Sequence, residues 1–198
     1  MQRCPWSESN EKMQAYHDEV WGVPEFGDQQ LFRKLVLDMN QAGLSWNTIL
    51  NKMENFDVAY EGFVIETVAA FDEEKVETLM QDSGIIRNRR KIEAAITNAQ
   101  CVLEIQKEFG SFSDYLWKFV DFQPIENQFS TVTEVPTKTP LSDEISKDLK
   151  KRGFKFVGTT IIYAFMEAVG MVNDHLLTCP CHEKVKDTRV TKKEENHA

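Results

Sequence analysis

Nine consecutive residues, Asp38-Met39-Asn40-Gln41-Ala42-Gly43-Leu44-Ser45-Trp46, hold one carboxylate, a Gly-Leu-Ser bend and a tryptophan. The carboxylate of Asp38 interrupts an apolar helix pattern. Such a group is costly to bury unless it meets a cation or a hydrogen-bond donor. Three further large aromatics, Trp6, Tyr16 and Trp21, stand upstream. Aromatic faces stack on planar rings, and a nucleobase that already carries positive charge would answer both features. Leu44, beside Gly43, has the character of an apolar wedge that fills the gap left when a nucleotide leaves the base stack. The residues alone leave a second reading open, in which the aromatics are core and Asp38 is an exposed helix residue.

A second constellation joins the two ends of the chain. Cys4 and His17 lie near the start, and His175 and Cys179 near the end. His175 and Cys179 are four positions apart, so a helical turn puts both on one face. Two thiolates and two imidazoles complete a tetrahedral set for a closed, structural Zn²⁺ site, which would tie down both termini. Spacing alone does not separate this from ordinary buried residues, and Cys181 and His182 offer competing donors.

A third feature is basic. Asp82-Ser83-Gly84-Ile85-Ile86-Arg87-Asn88-Arg89-Arg90-Lys91 joins two expected helices through a glycine turn, with Arg87, Arg89, Arg90 and Lys91 at the second helix start. Backbone N–H groups at such a turn and cationic side chains beside it suit phosphates without reading sequence. The second glycine usual in a helix-hairpin-helix turn is absent, since Arg90 stands there. A solvated basic helix start is the alternative. Lys147, Lys150, Lys151, Arg152 and Lys155, leading into Gly158-Thr159-Thr160, form another basic stretch.

These residues must be positioned by helices. Leu31, Phe32, Leu35, Val36 and Met39 recur at helical spacing after Asp28, which reads as an N-cap. A short helix is expected over 11–16 and another from Ser45. Asp72 reads as the cap of a third, and a long helix starts near Asn88 with Ile92, Ala95, Ile96, Ala99, Val102 and Leu103. Ser113 and Ser142 read as further N-caps, and Gly153 and Gly170 as helix stops. Residues 121–140 read as a loop. Strand alternation is scarce, so the expected class is all-α with roughly eight helices. The expected organisation is a single domain over 1–181 and a charged, unpacked tail over 182–198.

The 198 residues suffice for one full core or two small lobes sharing a cleft. No apolar run reaches membrane-spanning length, and the N-terminus lacks a charged-then-apolar leader, so a cytoplasmic location and no membrane partner are expected. Four cysteines in a reducing compartment point to metal ligation or burial rather than disulfides. A net charge of −9 argues against an indiscriminate nucleic-acid coat protein, although local patches decide binding.

Several of these stretches resemble one family. Arg3-Cys4-x-Trp6, Tyr16-His17-Asp18, Trp21-Gly22-Val23-Pro24, Gln41-Ala42-Gly43-Leu44-Ser45-Trp46, Gly84-Ile85-Ile86-Arg87, the run from Lys150 to Thr160 and Val172-Asn173-Asp174-His175 look like the bacterial type I DNA-3-methyladenine glycosylases of the helix-hairpin-helix superfamily. The resemblance implies an all-α, two-lobed fold and one structural zinc at Cys4, His17, His175 and Cys179. It implies hydrolysis of the N-glycosidic bond of 3-methyladenine in alkylated double-stranded DNA, releasing the free base. A monomer is expected. Asp38, Tyr16 and Trp46 are then the catalytic candidates, Trp6 and Trp21 the substrate contacts, and Gly43, Leu44, Gly84, Ile86, Arg87 and Lys91 the DNA contacts. No lysine of the pocket stretch offers a Schiff-base nucleophile, so no strand-cleaving step is expected. The chain departs from the family at Asp38, where glutamate is usual, and at Val20, Met39, Asn40, Met53 and Arg90. Those departures leave open a damaged-DNA-binding protein of the same fold, or a glycosylase for another modified base.

Overall fold

Helix α2 (Asp28–Gln41) runs through the middle of the core, and the computed structural model describes residues 2–186 around it. Leu31, Phe32, Leu35, Val36, Leu37 and Met39 are all at 0% exposure, and this helix is buried nearly all round over its second half. It packs against α7 (Arg89–Phe109), α8 (Phe112–Trp117) and α10 (Thr159–Ala168). Burial on every side is what makes a polar residue in α2 an exception that needs a partner.

The remaining α-helices are α1 (Glu11–Glu19), α3 (Trp46–Leu50), α4 (Met53–Ala59), α5 (Ile65–Ala69), α6 (Glu73–Gln81) and α9 (Pro140–Lys151). Ten are named among the described residues, against about eight expected. The excess lies in helices such as α4 and α5. Seven and five residues are too few for an apolar period to stand out.

Asp72 caps α6 as expected, and Asn88 and Ser45, read as helix starts, prove to be the caps of α7 and α3, each of the three accepting from the backbone N–H three residues on. Three expected caps differ. Asp28 is the first residue of α2, and its carboxylate instead accepts from Phe112 N at 2.9 Å and Ser113 N at 2.8 Å, so it caps α8. Ser111, not Ser113, is the local cap of α8. Thr139, not Ser142, caps α9, and Ser142 closes a reciprocal capping box with it.

The loop over 121–140 contains a two-residue strand, β1 (Ile125–Glu126), which pairs in parallel with β2 (Val172–Asn173). Two residues cannot show alternation, so the all-α expectation misses this pair. It ties the loop to the segment that leads into His175. Gly170, with φ +72°, ends α10 against the chain turn at Gly22–Pro24. A Cβ there would stand 2.5 Å from Pro24 N and 2.6 Å from Val23 C, so only glycine admits this approach. The expected tail is packed at its beginning. Residues 181–186 are helical, and His182 and Val185 are buried. Residues 187–198, the rest of that tail, lie outside the described residues.

Candidate active site and metal centre

A cavity of about 310 Å³ opens between α1, α2, α3 and α10. Its walls include Trp6, Tyr16, Trp21 and Trp46, and Asp38 lines it from α2. The aromatic set is therefore assembled in space. Trp6 meets Trp21 edge-on at 5.0 Å, and Tyr16 meets Trp46 at 5.0 Å. Two buried polar atoms at this cavity have no partner: Asp38 Oδ2, an acceptor, and Trp46 Nε1, a donor. Buried polar atoms are normally paired, so an acceptor and a donor left over at one cavity suit a polar-edged planar ligand.

The cation beside Asp38 is not what the sequence suggested. Lys34, one turn earlier on α2, is buried, and its Nζ donates to Asp38 Oδ1 at 2.9 Å. The same Nζ lies 3.7 Å from the Trp46 ring centroid and 5.0 Å from that of Tyr16. Burial pushes the Lys34 ammonium down from its ordinary range, and Asp38 opposes that shift. Burial likewise pushes the Asp38 carboxyl up, and Lys34 holds it back. Each partner offsets part of the burial cost of the other. Glu167, from α10, is a further lining residue, and burial and the neighbouring Asp174 raise its carboxyl well above the usual range. The phenol of Tyr16 is raised as well, first by burial and then by Asp38.

Behind the aromatic wall, Cys4, His17, His175 and Cys179 converge, all buried, with their donor atoms within 4.8 Å of one another. His17 Nε2 and His175 Nδ1 are 3.2 Å apart, and Cys179 Sγ is 3.6 Å from His17 Nε2 and 3.9 Å from His175 Nδ1. Cys4 Sγ is 3.9 Å from His175 Nδ1. The outward nitrogens are occupied. His175 Nε2 donates to the Trp21 carbonyl at 3.0 Å, and His17 Nδ1 to Asp18 Oδ1 at 2.8 Å. Oriented imidazoles with a single nitrogen turned inward are what a metal ion needs. The Cys4 thiol is pushed up and that of Cys179 pushed far down, chiefly because the two sulfurs share a hydrogen bond. Cys181 approaches the other side of His17, 3.9 Å from Nδ1, and its thiol is pushed up to about 12 by burial. His182 bonds to the Asn127 carbonyl at 3.0 Å. Neither belongs to the four-membered cluster. The cluster also buttresses the cavity, because Trp21 packs edge-on to His175 at 4.6 Å.

Gly43 has φ +79°, and Leu44 next to it is 42% exposed, so the bend does present an apolar side chain outward. The hairpin differs more from expectation. Lys91 is buried, and its Nζ donates to the carbonyls of Asn40 at 2.7 Å and Ala42 at 2.8 Å. Its charge is directed within the fold, onto the carbonyls that lead into the bend. Gly84 N donates to Asp82 Oδ1 at 2.7 Å, inside its own turn. Arg89 is engaged by Glu73 and Glu77. Arg87 and Arg90 are exposed, and Ile86 is half-buried against the core.

The comparisons with known proteins bear on this geometry. A profile described as methyladenine glycosylase matches residues 6–182. The chain belongs to the methyladenine glycosylase family. Among relatives of this methyladenine glycosylase chain, DNA-3-methyladenine glycosylase 1 of Escherichia coli (strain K12) is 50% identical over 182 residues, spanning 92% of this chain and 97% of that protein. A DNA-3-methyladenine glycosylase of Haemophilus influenzae is 46% identical over 179 residues, spanning 90% and 97%. A crystal structure of 3-methyladenine DNA glycosylase I superposes with a TM-score of 0.89 at 50% identity, covering 91% of this chain and all 100% of that one. A variant of such an enzyme in complex with 3-methyladenine superposes at 0.88 with 37% identity, covering 91% and 97%.

Within this methyladenine glycosylase fold, sequence reasoning missed Lys34 and Glu167. Lys34 was visible as a cation four residues before Asp38 on an otherwise apolar helix. Glu167 was visible as the one charge in Ile161-Ile162-Tyr163-Ala164-Phe165-Met166-Glu167-Ala168-Val169. A lone charge in an apolar run is a signal for a buried, partnered group.

Proposed function

We propose that the protein hydrolyses the N-glycosidic bond of 3-methyladenine in alkylated double-stranded DNA, releasing the free base and leaving an abasic site. The observation that carries this reading is the buried, unpartnered Asp38 Oδ2 at an aromatic cavity, in a chain of the methyladenine glycosylase family. Relatives named for this activity, one bound to 3-methyladenine, support it. Alkylation at ring N3 makes the base a good leaving group, so the protein's work is to flip, hold and orient. Tyr16 and Trp46 stack on the base, and Trp6 and Trp21 close the pocket. Asp38 accepts a hydrogen bond from the base and stabilises positive charge on the sugar as the bond breaks. Leu44, set outward by Gly43, fills the vacated stack. Gly84, Ile86, Arg87 and Arg90 place the phosphate backbone, with Gly84 acting through turn shape, since its N–H is already used. Lys34 stands in the cavity after all. Its Nζ is tied to Asp38 Oδ1 at 2.9 Å, and relatives named for glycosylase activity keep the reading with a monofunctional enzyme.

The Cys4, His17, His175 and Cys179 cluster is proposed to hold one structural Zn²⁺. A tetrahedral zinc with ordinary bond lengths separates two nitrogens by about 3.3 Å and a sulfur from a nitrogen by about 3.6 Å. The donors here stand at 3.2 Å and at 3.6–3.9 Å, so they fit that ion. Four protein donors leave no position for water, and the metal's role is to clamp the termini behind Trp21. The fold is proposed to be the two-lobed helix-hairpin-helix arrangement in a single domain, acting as a monomer in the cytoplasm.

One observation favours a second reading. Lys34 already fills the cation position beside Asp38, as a damaged-DNA-binding protein with weak hydrolysis would tolerate. Release of free base from methylated duplex DNA by wild type, Asp38→Asn and Asp38→Glu separates the two. Release by wild type that drops roughly 10²-fold or more in the asparagine variant supports the glycosylase reading. DNA binding without release by any of the three supports the binding protein.

A further inference from the structure

The Lys34 ammonium sits 3.7 Å from the Trp46 ring centroid. Van der Waals contact between stacked planar groups falls at about 3.5–4.0 Å, so the ammonium stands where an incoming ring would touch Trp46. It faces Tyr16 at 5.0 Å on another side, so it makes a cation–π contact with both stacking candidates. The position is not incidental. The side chain is 9% exposed and the Asp38 side chain 3%, and their 2.9 Å contact holds the ammonium at the cavity. The remaining charges near the cavity do not release it. Arg33 on the same helix is engaged by Asp57 at 2.6 Å. Glu167 faces in from α10, close to Asp174, which accepts from Tyr163 Oη at 2.6 Å.

We propose that Lys34 is a specificity-determining residue, the pocket's own cation, which sets how strongly the site prefers a positively charged base over a neutral one. The inference rests on the assignment of this cavity as the base pocket. With Lys34 present, Asp38 is already neutralised and the aromatic faces already carry a cation. A cationic base must then share the site with a like charge, or push the ammonium aside and break its bond to Asp38. Without Lys34, Asp38 is an uncompensated carboxylate among aromatics, and a cationic ring is its natural partner. A neutral ring feels neither effect strongly. Lys34 thus blunts the preference for the cation that the aromatics and Asp38 create together.

The test uses two small probes that differ in charge, 3,9-dimethyladeninium as a permanent cation and 9-methyladenine as its neutral counterpart. Binding to the full-length protein is read by quenching of tryptophan fluorescence, with wild type, Lys34→Met, Lys34→Arg and the double variant Lys34→Met/Asp38→Asn. The expected result is that K34M raises the cation-to-neutral affinity ratio by roughly tenfold or more, while K34R keeps the wild-type ratio. The double variant, which lacks both charges, should fold even if the single methionine variant does not. Its cation-to-neutral ratio should fall between those of wild type and K34M, because the aromatic faces are freed of a cation but no carboxylate is left for the ligand. An unchanged or lower ratio in K34M overturns the proposal. So does loss of 9-methyladenine binding in K34M, because Lys34 would then be acting on pocket shape, and so does a ratio in the double variant no higher than that of wild type. Release of 3-methyladenine from methylated duplex by wild type is measured beside it. If no base is released but the ratio still rises in K34M, the excision reading fails and the assignment of Lys34 stands. If base is released and the ratio does not move, the assignment of Lys34 fails alone.

Discussion

Replacing Lys91 with methionine separates two roles that sequence could not tell apart. A phosphate contact and an internal brace have opposite signatures. The Lys91 ammonium donates to the carbonyls of Asn40 and Ala42 at 2.7 and 2.8 Å. Hydrogen bonds to a charged group each contribute about 1.5–3 kcal/mol. The Asn40 carbonyl is buried and loses its partner outright, whereas the Ala42 carbonyl is partly open to water and recovers some of the loss. Methionine keeps most of the packing of the stem. The net destabilisation worked from these two bonds is about 3 kcal/mol. At about 2–4 °C per kcal/mol for a chain of this size, the melting temperature falls by roughly 6–12 °C. DNA affinity measured against salt concentration should keep its slope, since no phosphate contact is lost. Base release from duplex should fall as well, because the braced carbonyls flank the bend that presents Leu44. A phosphate contact would instead leave the melting temperature in place and reduce the salt slope by about one. That outcome would refute the brace.

Other expectations follow from single contacts. Purified protein should carry one zinc per chain by mass spectrometry, and Cys179→Ser should lose it while Cys181→Ser keeps it, because Cys181 lies on the far side of His17. Chelation should lower the melting temperature and disturb the pocket through Trp21, read as a change in tryptophan fluorescence. Gly170→Ala adds a Cβ 2.5 Å from Pro24 N at φ +72°, and left-handed strain with overpacking should cost about 2–4 kcal/mol, visible in urea unfolding. Leu44→Ala should change stability by less than about 0.5 kcal/mol, since the side chain is 42% exposed, yet slow excision from duplex more than from single-stranded DNA.

Much of the framework was legible from the chain because its causes are local. A cap acts within three residues, so Ser45, Asp72 and Asn88 announced their helices. An apolar period acts within a few turns, so the buried face of α2 could be read before its neighbours were known. The pocket's aromatics and the two Cys/His pairs were recognisable as types, and the family resemblance grouped them. Partner choice was not legible, because it depends on which elements pack together. Asp28 looked like the cap of its own helix and serves α8, more than eighty residues on. Lys91 looked like one member of a basic cluster, and folding buries it against carbonyls about fifty residues away. Lys34 and Asp38 stood one turn apart in plain view. Only the docking of α1, α3 and α10 around α2 removed water from both and turned a common helix pair into the charge centre of the cavity. A sequence states what each side chain is able to do, and tertiary packing decides what it faces and how dry that encounter is.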